Sequence, residues 1–431
     1  MVAGVVTALV PDAACPGALN AVPALDGLLV RIRTPGGLVS IAQVRALAHA
    51  ARAFGDDRLD ITARASVQVR GIGIDALAPL ARALEAAGLL PSRSHDRVRN
   101  IVAPALAGFD PGEVLDVAPL VRELDAAIVA SPVLAELPAK FAFGFDSGAP
   151  GPAVRGDLTL RAERDPVSGD VVMALAVGDR PSGLAVAPAC APRALVCAAL
   201  AALDAARTFG APDRLWRLAH IPAADAPIVA AVREYAVPFE RALPIGAQRA
   251  RPVPLGVLPS RNAGRAVLVP SIPLGRLTAA QLDGLAALAD ATGAEIRLGP
   301  WRGVALCDVP GAEIDRAARE LAGLGLPLDG RDGFAGLAAC AGIAGCAHAL
   351  ADVRGDARTI AAARRGSGPS PTVHLAGCAK RCGMRRGAGV DLVATPEGYE
   401  VLVAGRLVRR GAGSAAACLA ANEALAFGGE Q

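Results

Sequence analysis

The sequence predicts an α+β protein built twice over, and three observations lead there. The stretch from Gly36 to Ile72, "GGLVSIAQVRALAHAARAFGDDRLDITARASVQVRGI", has a partner in "GRLTAAQLDGLAALADATGAEIRLGPWRGVALCDV", Gly275 to Val309. Both copies pass from an apolar period near 3.6 residues to short strands of alternating pattern. A fainter duplication follows each copy.

Taken in order, each copy opens with Ser or Thr at a helix start, closes that helix with Gly and continues into an alternating strand. Gly37 stands opposite Gly275, Gln43 opposite Gln281, and Ile61 opposite Leu298 after a short indel. A second helix follows, "IDALAPLARALEAAGLLP" in one copy and "GAEIDRAARELAGLGLP" in the other. Two helices on a small sheet make an α+β unit. Beyond it, "AKFAFGFDSG" with "GDLTLRAERDPVSGDVVMALAVG" lines up with "VHLAGCAKRC" and "GVDLVATPEGYEVLVAG", a strand, a loop and a hairpin each time. This pairing places Lys140 and Lys380 in corresponding strand-to-loop regions, though not in strict register. The Pro-rich segment Val237 to Pro259 reads as the linker between halves, and a site is expected where the halves meet.

Composition narrows the function. At 431 residues with 53% apolar and 20% charged content, the chain is long enough for several well-filled cores and is not disordered. The uncharged run from Gly333 to Ala351 is mostly Ala and Gly, too weakly hydrophobic for a bilayer core, so no membrane span is expected. No basic region precedes the first apolar residues, which argues against a secretory signal and for a cytoplasmic protein. Nine cysteines, an odd number, fit reduced thiols and ligands better than a disulfide framework. A net charge of +3 with no basic tract excludes nucleic acid as an expected partner. Only Lys140 and Lys380 among 44 basic residues are lysines, positions where a compact ammonium replaces the arginine fork used elsewhere.

Four cysteines form two pairs, Cys340 with Cys346 and Cys378 with Cys382. The first spacing does not share a helix face, so the pair straddles a turn, and Gly342 and Gly345 let backbone wrap closely. Four thiolates from two loops suit a [4Fe–4S] cube, in which each iron takes one sulfur. Zinc is the alternative, fitting the second spacing and not the first, and unligated core cysteines are the third reading. Cys190, Cys197, Cys307 and Cys418 stand singly in Ala-rich segments and read as core.

The pattern "CAGIAGC" then "GCAKRC", with "TARASVQVRGI" (Thr62 to Ile72), "RVRN" (Arg97 to Asn100) and "LPAKF" (Leu137 to Phe141), resembles the nitrite and sulfite reductase superfamily. The resemblance spans almost the whole chain. It implies ferredoxin-like half-domains at 15–90 and 255–330, an α/β domain without cluster cysteines at 95–236, and an α/β domain carrying the iron–sulfur cluster at 334–428. It also implies that Cys340, Cys346, Cys378 and Cys382 hold the cluster, with Cys382 bridging to siroheme iron in siroheme reductases, and that Arg64, Arg99 and Lys140 are catalytic residues of an anion pocket. The reductases read Lys-Phe-Lys at the last motif, where this chain has Ala142. "CPGAL" (Cys15 to Leu19), "LDGLLVRIRTPGG" and "GCAK" are similar to the precorrin-3B synthases of that superfamily. That branch implies an oxygen- and electron-dependent monooxygenase of aerobic cobalamin biosynthesis, with a tetrapyrrole as substrate and a separate electron-donor protein.

The residues agree with such chemistry. A precorrin carries acetates and propionates, and arginine forks bind carboxylates bidentately. Arg64, Arg70, Arg97, Arg99, Lys140 and Lys380, with Arg381, Arg385 and Arg386 beside the second pair, are the candidates for substrate binding. His348 and His374 stand near the cysteines as structural residues or as ligands of an additional mononuclear iron; Cys15 reads as a site thiol or a buried one. No GxGxxG opens a helix after a strand, so no dinucleotide fold is expected. An internal duplicate supplies pseudo-dimer geometry within one chain, and a monomer is expected. The competing functions are a siroheme-dependent sulfite or nitrite reductase and a non-enzymatic electron carrier.

Overall fold

The computed structural model of the chain describes residues 15–150, 154–211, 216–239, 254–366, 372–383 and 389–413; Arg385, Arg386, Cys418 and most of the Pro-rich linker lie outside them. The first repeat is an antiparallel sheet ordered Val22–Ala24, Gly27–Ile32, Val67–Ile72, Arg58–Ile61, with helices Ile41–Phe54 and Leu77–Ala86. The second is ordered Gly256–Pro259, Arg265–Val269, Gly303–Pro310, Glu295–Gly299, with helices Ala279–Thr292 and Ile314–Gly323. Both first helices begin with a capping box, Ser40 with Gln43 and Thr278 with Gln281. In each, the glutamine amide also donates to the end of the second helix, at Ala87 O (3.4 Å) and Leu324 O (3.0 Å).

The repeats exchange edges. Arg276–Thr278 adds antiparallel to Arg58–Ile61 with Arg276 opposite Asp60, and Leu38 bridges reciprocally to Arg297. Leu38 and Arg276 each precede an N-cap by two residues, so Asp60 corresponds to Arg297 and Ile61 to Leu298, the pairing expected from sequence. Gly37 and Gly275 hold φ of 74° and 70°, and a Cβ on Gly37 would lie 2.0 Å from Leu298 O, so the exchange requires glycine there. One apolar core runs through both repeats, joining Leu47, Leu59 and Ile72 to Leu285, Leu298 and Leu306. Each such side chain contributes about 2 kcal/mol. The ion pairs Arg45–Asp290 and Arg52–Asp283 align the two facing helices and add less than about 1 kcal/mol each at this exposure.

Two further sheets share a plan. In one, Ile101–Val102, Phe143–Asp146 and Leu158–Arg164 run parallel and Val171–Val177 and Arg180–Val186 return antiparallel, with Ala236–Pro238 at the edge. In the other, Leu337–Ala339, Val373–Ala376 and Val390–Thr395 run parallel and Gly398–Val403 and Arg406–Ala412 return. The fold is thus α+β and internally duplicated throughout. Lys140 and Lys380, expected in corresponding regions, sit at opposite ends of matching strands: Lys140 precedes Phe143–Asp146 and Lys380 follows Val373–Ala376. The parallel registers fix that difference. Helix Ala191–Thr208 lies in a segment long and apolar enough to cross a membrane, and it buries Ala194, Leu195, Ala198 and Ala202 in the core of the first α/β unit.

Strand alternation decides where chemistry can sit. In the first repeat Val30, Ile32, Leu59, Ile61, Val67 and Val69 face the shared core, which turns Arg31, Arg33, Asp60, Gln68 and Arg70 to the other side. In the second repeat the corresponding side is mostly apolar: Val267, Val269, Ala305 and Cys307 pack under Phe109, with Arg297 buried over the same ring. The duplicate has diverged, leaving one charged face and one sealed face.

Candidate redox centre and anion-binding face

Cys340 and Cys378 follow the ends of adjacent parallel strands, Leu337–Ala339 and Val373–Ala376, so both cysteine loops leave one sheet edge side by side. Leu350 N donates to Gly377 O (2.7 Å) and Gly377 N to Cys340 Sγ (3.2 Å), joining the loops. A Cβ on Gly377 would lie 2.8 Å from the Ala349 Cβ. Burial pushes the Cys382 thiol up, and the sulfurs of Cys340, Cys378 and Cys346 push it further against the opposing pull of Lys380. All four sulfurs therefore share one electrostatic neighbourhood. Among the described residues no three His, Cys, Asp or Glu side chains converge on a single metal ion. Four soft thiol donors spread over two packed loops fit a polynuclear iron–sulfur group, which spaces its ligands round a cube.

The repeats clamp these loops. Arg70 pairs bidentately with Asp26 (2.7 and 2.9 Å) and donates to Gly345 O, in the first loop. Arg302 donates to Ala339 O (3.3 Å) and Gly383 O (2.8 Å), one at each loop. Burial lowers the Arg302 pKa, opposed by Asp60 and by the sulfurs of Cys340 and Cys382. Asp60 itself takes Arg276 (2.6 Å) and Arg354 (3.1 Å), which joins both repeats to the cysteine-bearing unit. His374 lies between Asp391 Oδ1 and Cys382 O, each at 3.2 Å, so it positions the loop. His348 is exposed.

The basic residues singled out from sequence divide into two groups. Arg64 is exposed and donates to Lys140 O (3.3 Å). Lys140 and Arg97 are half-buried, with no side-chain partner among the described residues. Lys380 is exposed beside the thiols, while Arg381 pairs with Asp391. Arg70 and Arg99 differ from the sequence reading. Arg70 is committed as above, and Arg99 is buried with Nε and Nη2 on Asp125 (2.7 Å each) and Nη1 on Leu89 O (3.5 Å). A buried guanidinium with both edges occupied has no free fork for a substrate carboxylate.

Four residues were missed. Arg31 donates to Cys15 Sγ at 3.7 Å, and burial lowers its pKa while Cys15 raises it and Arg64 lowers it again. Its neighbour on the same strand face, Arg33, is also buried. Asn100 donates to Arg97 O, Ala139 O and Phe141 O (3.0, 3.1 and 3.0 Å) and so fixes the Arg97 and Lys140 loops together. Asp157 accepts from Ala142 N (2.8 Å); burial pushes its carboxyl up, against the Ala142 bond and the charges of Arg64 and Arg217. The alternation in "LVRIRT" signalled the two arginines; nothing local signalled Asp157.

A duplicated α+β fold with paired cysteine loops beneath a cationic sheet face defines a class, and comparison with known proteins agrees. The family described as "Nitrite/Sulfite reductase ferredoxin-like half domain" matches twice, at residues 23–87 and 259–324. A precorrin-3B synthase from Sinorhizobium sp is 31% identical over 91% of this chain and 83% of its own. A ferredoxin–nitrite reductase from Synechococcus elongatus is 26% identical, covering 88% and 80%. The solved structure of the Mycobacterium tuberculosis NirA protein superposes with a TM-score of 0.73 at 20% identity, over 89% of this chain and 77% of that one. The chain belongs to the nitrite and sulfite reductase superfamily, a family of oxidoreductases. Within it, the relative sharing the highest identity over nearly the full chain among these is the precorrin-3B synthase.

Proposed function

We propose that the chain is an iron–sulfur monooxygenase of aerobic cobalamin biosynthesis, hydroxylating precorrin-3A at C20 with closure of a γ-lactone. The observation that carries this reading is the 31% identity to a precorrin-3B synthase over 91% of the chain. Cys340, Cys346, Cys378 and Cys382 hold a [4Fe–4S] cluster, which supplies single-electron transfer. Arg64, Arg97, Lys140 and Lys380 bind the carboxylate rim, with Arg31 behind them on the sheet face. Ala142, buried and bonded through its backbone to Asp157, leaves fewer cationic donors than reduction of a small oxyanion demands. Electrons come from a separate reductase or ferredoxin, and the protein acts as a monomer in the cytoplasm.

The test is incubation of anaerobically purified, cluster-loaded protein with precorrin-3A, a reductant and isotopically labelled dioxygen. The expected product carries one labelled oxygen atom. The similarity to ferredoxin–nitrite reductase over 88% of the chain favours a second reading, a siroheme-dependent reductase. Sharp siroheme bands in the absorbance spectrum with nitrite or sulfite turnover would decide for it; a cluster spectrum with neither activity would leave an electron carrier.

A further inference from the structure

Four arginines, Arg70, Arg276, Arg302 and Arg354, lie within electrostatic reach of one another or of a shared Asp60 beside the cysteine loops. Three of them have acids to pair with. Arg70 takes Asp26 on both edges, Arg276 takes Asp60 (2.6 Å) and Asp56 (3.2 Å), and Arg354 takes the second oxygen of Asp60 (3.1 Å). Three guanidiniums thus balance three carboxylates. Arg302 is left over.

Among the described residues Arg302 makes no ion pair: its bonds go to two carbonyls, Ala339 O and Gly383 O, and its Nε is buried without a partner. Each carbonyl belongs to a residue next to a cysteine, Cys340 in one loop and Cys382 in the other. The fit is close, since Gly383 holds φ of 79° and a Cβ there would run into Nη2. Burial lowers the Arg302 pKa and Arg354 adds to that, while Asp60 and the sulfurs of Cys340 and Cys382 oppose it. Asp60 is already shared by two guanidiniums, so the sulfurs are the counter-charges that remain. A buried cation without one is costly. A cluster held by four thiolates is anionic, and each electron it takes up makes it more so.

We propose that Arg302 is the counter-charge of the group held by the four cysteines and sets its reduction potential, with Asp60 as the opposing charge. The inference rests on the cluster reading given under the proposed function and adds which side chains poise that centre. Reduction places one more negative charge beside Arg302, so the cation favours the reduced form and the carboxylate of Asp60 disfavours it. The Asp60 side chain is 14% exposed, which limits screening by solvent and salt. Asp60 stands where Arg276–Thr278 of the second repeat pairs with Arg58–Ile61 of the first, so the seam between the repeats carries a charge that acts on the redox centre.

The experiment is anaerobic reconstitution of the full chain with iron and sulfide, followed by a redox titration read by visible absorbance and by electron paramagnetic resonance of the reduced form. Arg302→Met is expected to shift the one-electron equilibrium of the loaded fraction about tenfold or more toward the oxidised form, a fall of about 59 mV. Arg302→Lys returns the charge and is expected to stay within about threefold of the parent. Asp60→Asn is expected to shift the equilibrium the other way, about threefold or more toward the reduced form. Asp60 bonds to neither cysteine loop, so this variant keeps the test decisive where Arg302→Met loads poorly. Asp283→Asn removes an equal charge from the exposed pair with Arg52 and is expected to change nothing. Opposite signs separate charge from damage, because a loosened loop would move both variants the same way. Equal potentials in the parent, Arg302→Met and Asp60→Asn, shifts of one sign in both, or an equal shift in Asp283→Asn would overturn the proposal. A parent that takes up no cluster would overturn the cluster reading and this proposal together, whereas the expected shifts without turnover of precorrin-3A would uphold this proposal and overturn the substrate.

Discussion

Arg302 and Gly383 are joined by a 2.8 Å hydrogen bond from Nη2 to the carbonyl, and Nη1 of the same guanidinium reaches Ala339 O, so one side chain of the second repeat spans both cysteine loops. Arg302 holds a left-handed φ of 64°, a conformation retained only when its surroundings require it. Lysine offers a single compact ammonium and cannot reproduce the fork. Arg302→Met is expected to retain less than about half of the iron bound by the parent after reconstitution with iron and sulfide, with an unchanged far-ultraviolet circular dichroism spectrum, and Arg302→Lys to fall between. Equal iron in Arg302→Met and parent would show that the tie is dispensable.

The two capping boxes make a paired stability test. Gln43 and Gln281 each accept from an N-cap amide and donate to the far helix, at Ala87 O and Leu324 O. Replacing either by Ala is expected to cost about 1 kcal/mol in urea unfolding. Gln281→Ala should cost more, because its bond to Leu324 is 3.0 Å against 3.4 Å at Ala87. Equal or reversed costs would mean that these bonds do not set the helix ends.

Those glutamines also show what was legible beforehand. A local grammar shared by the two copies, Ser or Thr then Gln three residues on, made the duplication and the pairing of Ile61 with Leu298 readable, because helix starts and strand registers are local. The two cysteine pairs were readable from spacing, whereas the packing of their loops, Leu350 N on Gly377 O, is a tertiary contact that spacing does not carry. The edge exchange through Arg276 and Leu38 was not, since strand partners distant in sequence leave no local trace. Arg70 and Arg99 looked like free cations because their partners, Asp26 and Asp125, lie 44 and 26 positions away. Arg31 and Arg33 were visible as an alternating pair, yet only the sheet's orientation shows that their side is the charged one.

Cys307 supplies a pH prediction away from the proposed site. It is fully buried beneath Phe109, and burial pushes its thiol from 9.0 up to about 12. The folded value lies above the unfolded one, so the contribution is present in full below pH 9 and is lost as the pH rises toward 12. By about pH 10.5 the loss amounts to about 2 kcal/mol. Cys307→Ala is expected to be less stable than the parent by about 1 kcal/mol at neutral pH and to lose less stability between about pH 8 and pH 10.5. Parallel stability curves for the two proteins would refute this assignment, as would rapid alkylation of Cys307 in the native state.

Lys140 tests the proposed anion-binding face directly. Its ammonium has no partner among the described residues, while its carbonyl receives Arg64 and its loop is pinned by the Asn100 amide to Ala139 and Phe141. The loop is therefore held in place without the ammonium, as the proposed ligand role requires. A charge-assisted hydrogen bond contributes about 1.5–3 kcal/mol, so Lys140→Ala is expected to raise KM for precorrin-3A about tenfold or more while thermal stability stays within about 0.5 kcal/mol of the parent. Lys140→Arg should recover part of the binding, since the charge returns with a different shape. Asn100→Ala is expected to act otherwise, lowering stability by about 1–3 kcal/mol because three carbonyls lose their donor. If Lys140→Ala binds substrate as the parent does, the carboxylate rim is held elsewhere; if it melts as Asn100→Ala does, the lysine is a structural residue.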